Sequence, residues 1–217
     1  STVDGLAAGR LDLVWYGGYT SVQAFRAAKG NVERTVCRAE ELKFKSVFVA
    51  NPALGVKSLD DLKGKTFSFG SNSSTSGHLM PRFFLQQAGL NPEKDFKNVA
   101  FSGAHDATVA FVAAGKADAG VLNASVWDKL VEAKKVDTGK VRVFATTPPY
   151  FDYNWTVRGD LDPALIKKLT DAFLKLDPNN PDDKEIMALQ RASKFIPSKK
   201  ENYDGIEKAA QSAGLLK

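Results

Sequence analysis

Short apolar runs and amphipathic stretches take turns along this chain. Residues 10–15 (RLDLVW), 44–50 (FKSVFVA), 65–69 (KTFSF), 97–101, 117–122, 141–145 and 154–158 read as short strands, with 44–50 alternating and β-rich. Val36-Cys37 lies in a further strand-like run. The spacing between these runs predicts helices at 21–29, 75–88, 106–114 and 125–134, after a helix end at 3–8. In 75–88, Leu79, Phe83 and Phe84 share one face and Gly89 stops the helix. A short helix is expected at 58–62, with Ser58 as its N-cap and Asp60 and Asp61 in its first turn. Three more helices are expected near 163–176, 182–191 and 203–213.

Strands alternating with helices predict an α/β protein with a mainly parallel sheet. Two segments break the rhythm, Ala50-Asn51-Pro52 and Thr146-Thr147-Pro148-Pro149, one at each end of a block of residues 51–149. They read as two crossovers between lobes. Residues 1–50 then begin lobe 1, 51–149 form lobe 2, and 150–217 complete lobe 1 with the C-terminal helices. Two crossing strands make a hinge, and a hinge between lobes makes a cleft for a ligand.

Composition narrows the function. The formal charge is +5, but lysines alternate with acids, as in 57–63 (KSLDDLK), and no basic stripe is interleaved with aromatics. No nucleic-acid partner is expected, while a modest positive field favours anions. One cysteine and two histidines leave no disulfide and no cysteine-based zinc site; no metal and no cofactor are expected. No G-x-S-x-G elbow is present, so an enzyme is not expected. No apolar run approaches the ~20 residues of a membrane helix. No signal peptide is visible, and the chain opens inside what reads as a helix end, so upstream sequence is expected.

The most informative stretch is 69–78 (FGSNSSTSGH), which joins a strand to a helix. A helix start offers unpaired N–H groups and a partial positive charge, a ready anion site. One hydroxyl would cap the helix, yet five of the six residues 71–76 carry one. Ser74, Thr75 and Ser76 can therefore add donors to the N–H groups. This is not a nucleotide loop, since no Gly-Lys-Ser/Thr follows. Recognition would rest on neutral donors and the helix dipole.

Three further segments are candidates. Ser102-Gly103-Ala104-His105-Asp106 again leads from strand to helix, with Asp106 as N-cap and His105 at the sheet edge where ligands bind in open α/β folds. His78, one turn into its helix, reads as packing. Tyr150-Phe151-Asp152-Tyr153 follows the second crossover. An ionised Asp152 only accepts, so it would favour a ligand that keeps a proton on oxygen and repel a fully deprotonated one. Phosphoryl groups, with a second pKa of about 6, offer that form near neutrality. Trp15-Tyr16-Gly17-Gly18-Tyr19-Thr20 makes a tight turn that can present Tyr19, and also Tyr16, to a cleft.

The sequence resembles the phosphate-, phosphite- and phosphonate-binding proteins of bacterial ABC importers, a branch of the type II periplasmic binding proteins. The resemblance lies in LDLVWYGGYTSVQA at 11–24, LKGKTFSFGSNSSTSGHLMPR at 62–82, FSGAHDATVAFVAAGKADAG at 101–120 and TTPPYFDYNWTVRGDLD at 146–162. It implies that Ser74, Thr75 and Ser76 grip the anion's oxygens, that His105 and Asp152 complete the shell, and that Tyr19, with Tyr16 or Tyr153 as further candidates, contributes from lobe 1. It also implies a monomeric periplasmic protein, free or lipid-anchored, that hands a small oxyanion to an inner-membrane permease by hinge closure. Part of lobe 1, two strands and a helix, would precede Ser1. The turn WYGGYTSVQ is similar to a subfamily described as receptors for selenate or for oxyanions generally. Asn123 stands where some phosphonate receptors place an acid that holds an amino group, so a small ligand is expected over an aminoalkylphosphonate. Cys37 keeps an alternative open: an arsenite-sensing relative uses a thiolate and signals to a membrane kinase, and soft metalloids favour sulfur.

Overall fold

The computed structural model describes residues 1–216. The chain begins with α1 (Thr2–Ala7), β1 (Leu13–Tyr16), α2 (Gly18–Ala27) and β2 (Val32–Arg38). Its middle forms β3 (Ser46–Ala50), β4 (Thr66–Phe69), α3 (Met80–Gln87), a single turn α4 (Pro92–Asp95), β5 (Asn98–Phe101), α5 (His105–Ala113), β6 (Ala119–Asn123), α6 (Ala124–Glu132) and β7 (Arg142–Thr146). The last stretch adds β8 (Asn154–Arg158), α7 (Pro163–Leu174), α8 (Pro181–Leu189), β9 (Phe195–Pro197) and α9 (Asp204–Ser212). The described residues group into two units. Unit 1 is built from Ser1–Phe44 and Tyr150–Lys208, and unit 2 from Lys45–Pro149 with Ala209–Leu215.

Local chemistry sets the helix starts. Ser1 and Asp4 form a reciprocal capping box on α1. α7 and α8 each open with a proline after a capping side chain, Asp162 and Asn180. Two expected caps are corrected. Ser58 does not cap a helix; the Asp61 carboxylate turns back to accept from the N–H groups of Lys57 and Ser58 and from the Ser58 hydroxyl, leaving only a 3₁₀ turn at Asp60–Leu62. The N-cap of α5 is Ala104, not Asp106, whose carboxylate lies beside its own first turn at the Ala107 N–H.

The expectation of a mainly parallel sheet is also corrected. Unit 1 has the strand order β1-β8-β2-β9, with every neighbouring pair antiparallel. β1 and β2 are parallel to one another, as their helical connection requires, but β8 returns from far along the chain and inserts between them. Unit 2 has the order β5-β4-β6-β3-β7. Helical crossovers make β4 parallel to both β5 and β6. β3 and β7 carry the chain into and out of this unit, so they run antiparallel to each other, and β3 is antiparallel to β6 as well.

β3 and β6 are buried along their whole length, which explains their largely apolar sequences; Ser46 and Asn123, paired across the two strands, are the exceptions. On one side of this sheet Phe48, Phe67, Phe69, Leu85, Leu90 and Phe96 form a core; on the other Val47, Val49, Val109, Val112 and Leu122 pack against α5 and α6. Each such side chain contributes about 1.5–3 kcal/mol when fully buried. These two cores hold the C-terminal ends of β4, β5 and β6, where the hydroxyl-rich turn sits.

Candidate oxyanion-binding site

The helix expected from residue 75 starts with a π-type turn at Thr75–Leu79 before α3 continues it. Pro81 explains part of this. It has no N–H to return to the Gly77 carbonyl, which instead accepts from the Gly70 N–H at 2.7 Å. The N–H of Leu79 reaches Ser74 O at 3.0 Å and that of Met80 reaches Thr75 O, one residue further back than in an α-helix. The Ser76 carbonyl is thereby released and accepts from the Ser46 hydroxyl on β3 at 2.7 Å. The turn is thus pinned to β3 through Ser46 and to the end of β4 through Gly70.

Within the turn, Ser74 Oγ caps the helix by accepting from the Gly77 N–H at 2.9 Å. Thr75 and Ser76 are buried. Ser76 Oγ is buried and has no hydrogen-bond partner among the described residues. Gly77 is required for closeness: a Cβ there would lie 3.0 Å from Ser74 Oγ, 3.2 Å from Gly70 Cα and 3.2 Å from His105 Cε1. These distances place the His105 ring directly against the Ser74–Gly77 turn. Both sequence motifs of unit 2 therefore meet at one point.

His105 is the first residue of α5. Its Nδ1 lies 3.4 Å from the Asn123 N–H. A neutral imidazole that accepts at Nδ1 carries its proton on Nε2, so the ring presents a donor there. An open pocket of about 450 Å³ is lined by Ser71, Ser74, Gly103, His105, Val126 and Leu130, among others. It joins polar donors to an apolar wall from α6. His78 serves the turn from behind. Its Nδ1 donates to Asn72 O at 2.8 Å, its Nε2 accepts from Arg82 Nε at 2.9 Å, and Phe69 and Phe101 pack on its ring. Burial holds His78 below the usual histidine range.

The remaining candidates lie in unit 1. Asp152 is 1% exposed, and its Oδ1 accepts from the Gly18 N–H at 2.8 Å. Gly17, the N-cap of α2, has no side chain, so Asp152 does the capping from a distant segment. Tyr19, in the first turn of the same helix, is buried, and burial pushes its phenol upward. Behind Asp152 stands a buried ion pair. Arg38 Nε donates to Glu41 Oε1 at 2.6 Å, and Glu41 Oε2 accepts from the N–H groups of Asp152 and Tyr153 at 3.0 Å each. Burial pushes Glu41 up to about 7, against the pull of Arg38.

The three further candidates are occupied elsewhere. The Tyr16 hydroxyl donates to Thr2 O at 2.8 Å. Tyr153 stacks on Trp15 with centroids 5.5 Å apart, under the Arg38 guanidinium. Cys37 is fully buried on β2, opposite Ile196, and burial pushes its thiol up to about 12. A thiol held protonated is a poor metalloid ligand, so Cys37 packs as a small apolar side chain. Sequence reasoning missed Ser46, Arg38 and Glu41. A serine inside an otherwise apolar strand, and an Arg and Glu three apart at a strand end, are the signals that mark them.

Hydroxyls, backbone N–H groups, an imidazole and a helix start converge here, without a lysine or arginine in the pocket lining. Such an arrangement can offer neutral donors to a small anion. Among the described residues no group of histidine, cysteine and acidic side chains can hold a metal, and no helix is long and apolar enough to cross a membrane. Fold and turn together define the class, a type II periplasmic solute-binding protein. Residues 1–203 match the family described as ABC transporter, phosphonate, periplasmic substrate-binding protein, and the chain belongs to that family.

Its relatives agree. The chain is 38% identical to a protein of Prochlorococcus marinus (strain MIT 9301) described as "Probable ABC transporter phosphite binding protein PhnD1", over 100% of this chain and 76% of the relative. It is 26% identical to the phosphonates-binding periplasmic protein of Escherichia coli (strain K12), over 85% of this chain and 56% of that one. The crystal structure of PhnD1 from Prochlorococcus marinus in complex with methylphosphonate superposes with a TM-score of 0.92 at 38% identity, covering 99% of this chain and 83% of that one. A binding protein of a phosphonate ABC transporter from Pseudomonas aeruginosa shares the fold, with a TM-score of 0.83 at 24% identity over 98% of this chain and 72% of its own.

Proposed function

We propose that this protein captures a small phosphorus oxyanion of the phosphonate or phosphite type and delivers it, as a periplasmic monomer, to an inner-membrane ABC permease. The observation that carries this reading is the hydroxyl-rich turn at Ser74–Ser76, pinned open by Ser46 and Gly70 and faced by His105. The anion docks on this turn and receives hydrogen bonds from its N–H groups, its hydroxyls and His105 Nε2. Tyr19 and Asp152 join the shell as the lobes close about their hinge. Asp152 accepts a proton-bearing oxygen of the ligand and so disfavours anions that carry no proton. The relative solved with methylphosphonate supports this ligand class.

Calorimetric titration tests the reading with methylphosphonate, phosphite, phosphate, sulfate and arsenite, each on wild type and on Cys37→Ser. Tight binding of methylphosphonate or phosphite by both proteins, with sulfate at least 100-fold weaker, is the expected result. Binding of arsenite alone, lost in Cys37→Ser, would replace this function with metalloid sensing.

A further inference from the structure

Residues 147–153 join β7 to β8 and form neither helix nor strand. No ladder fixes their peptides, so their N–H groups must find other partners. Those of Asp152 and Tyr153 both donate to Oε2 of Glu41, at 3.0 Å each. Glu41 is held to that pose. Its Oε1 accepts from Arg38 Nε at 2.6 Å, which directs Oε2 at the two N–H groups. Arg38 is fixed in turn. Its Nη1 donates to Gln190 O at 3.0 Å, and the rings of Tyr153, Trp15 and Phe44 surround its guanidinium carbon at 4.8 to 5.9 Å. Arg38 is 1% and Glu41 0% exposed.

A buried ion pair is weak evidence for stability. Desolvation offsets much of the attraction, and apolar side chains of similar volume often serve as well. What apolar side chains cannot supply is an acceptor aimed in one direction. Here that acceptor sets the peptide of Asp152. Glu41 takes the Asp152 N–H, and Asp152 Oδ1 accepts from the Gly18 N–H at 2.8 Å. The residue is thus held at its backbone and at its carboxylate. A carboxylate ordered in advance loses less freedom when a ligand meets it.

We propose that Glu41, oriented by Arg38, is a positioning residue for ligand recognition: it holds the Asp152 peptide so that the carboxylate meets the proton-bearing oxygen of the anion. The inference rests on the function proposed above, in which Asp152 accepts from the ligand. Glu41 is enclosed and acts at one remove. Its effect on affinity passes through Asp152, which separates it from a group that only holds the fold together.

The test is calorimetric titration of methylphosphonate into wild type and variants at one pH, with melting temperatures as the fold control. In Glu41→Gln the guanidinium attracts the amide oxygen, since a charged donor makes the stronger hydrogen bond, and the NH₂ then faces the two N–H groups. Affinity should fall at least tenfold. In Arg38→Met/Glu41→Gln the amide can turn its oxygen to those N–H groups, and affinity should return to within threefold of wild type. Arg38→Met/Glu41→Leu keeps an uncharged, packed pair without an acceptor; it should bind as weakly as Glu41→Gln and replaces that variant if it does not fold. On an Asp152→Asn background, Glu41→Gln should change affinity less than twofold, because two residues acting as one unit are not additive. A Glu41→Gln or Arg38→Met/Glu41→Leu protein that binds within twofold of wild type overturns the proposal. So does a loss that the added Arg38→Met fails to rescue, or one that persists in full beside Asp152→Asn, which marks a structural role. An Asp152→Asn protein that binds like wild type removes Asp152 from the shell and overturns the positioning role with it. A wild-type protein that binds neither methylphosphonate nor phosphite overturns the underlying function instead.

Discussion

Gly77→Ala probes the turn through a single methyl group. The added carbon would sit 3.2 Å from Gly70 Cα and from His105 Cε1, and 3.0 Å from Ser74 Oγ. Carbon contacts are most favourable near 3.5–4.0 Å, so two neighbours must retreat by about 0.3–0.8 Å. One of these is backbone, held by the Gly70 N–H to Gly77 O bond at 2.7 Å, and cannot swing away as a side chain can. Overpacking of this kind costs about 1–3 kcal/mol. In a chain of this size that corresponds to a fall of about 2–12 °C in melting temperature. The same displacement moves His105 and the capping Ser74 off their positions, so affinity for methylphosphonate should drop by about tenfold or more. Thermal melts by circular dichroism and calorimetric titration read the two effects. Gly205→Ala is the control: nothing lies within 4 Å of the added carbon, in α9. That change should leave affinity alone and stabilise by up to about 1 kcal/mol. A Gly77→Ala protein that melts and binds like wild type would refute the close-packed turn.

Other outcomes follow from the buried polar groups. Only neutral His78 can both donate to Asn72 and accept from Arg82, and burial holds it below its ordinary value of 6.5. A histidine depressed in the folded state stabilises above pH 6.5, and that contribution is lost as pH falls through the folded value. The melting temperature of wild type should therefore fall more steeply from pH 7.5 to pH 5.5 than that of His78→Gln; parallel curves would contradict this. Arg38→Met leaves Glu41 buried without its cation and should destabilise by about 3–5 kcal/mol in urea denaturation. Glu41, already raised by burial, can escape the cost by protonating, so the loss should be greater at pH 8 than at pH 5. A loss equal at both pH values would argue against the ion pair.

Much of this protein was legible in its sequence where local chemistry decides. The strand at 154–158 and the helix beginning at Pro163 have the expected starts, because a β-rich run and an Asp-Pro cap need no tertiary information. The STSGH turn announced itself through an excess of hydroxyls over what capping needs. Sheet direction was not legible. β8 inserts between β1 and β2, and β3 joins β6 and β7, by pairings that the alternating pattern does not encode. The π-type turn was equally hidden, since it depends on Ser46 and Gly70 as partners for the carbonyls that Met80 and Pro81 leave free. Asp152 and Cys37 mark the same boundary. The sequence offers a carboxylate and a thiol, and only the fold gives the carboxylate the Gly18 N–H and buries the thiol.

The proposed function places a phosphorus oxyanion on the Ser74–Ser76 turn. A crystal structure of this protein grown with methylphosphonate tests it most directly. Phosphonate oxygens are expected within hydrogen-bond distance of the Thr75 and Ser76 hydroxyls and His105 Nε2. Phosphonate density located elsewhere, with that turn unoccupied, would contradict it.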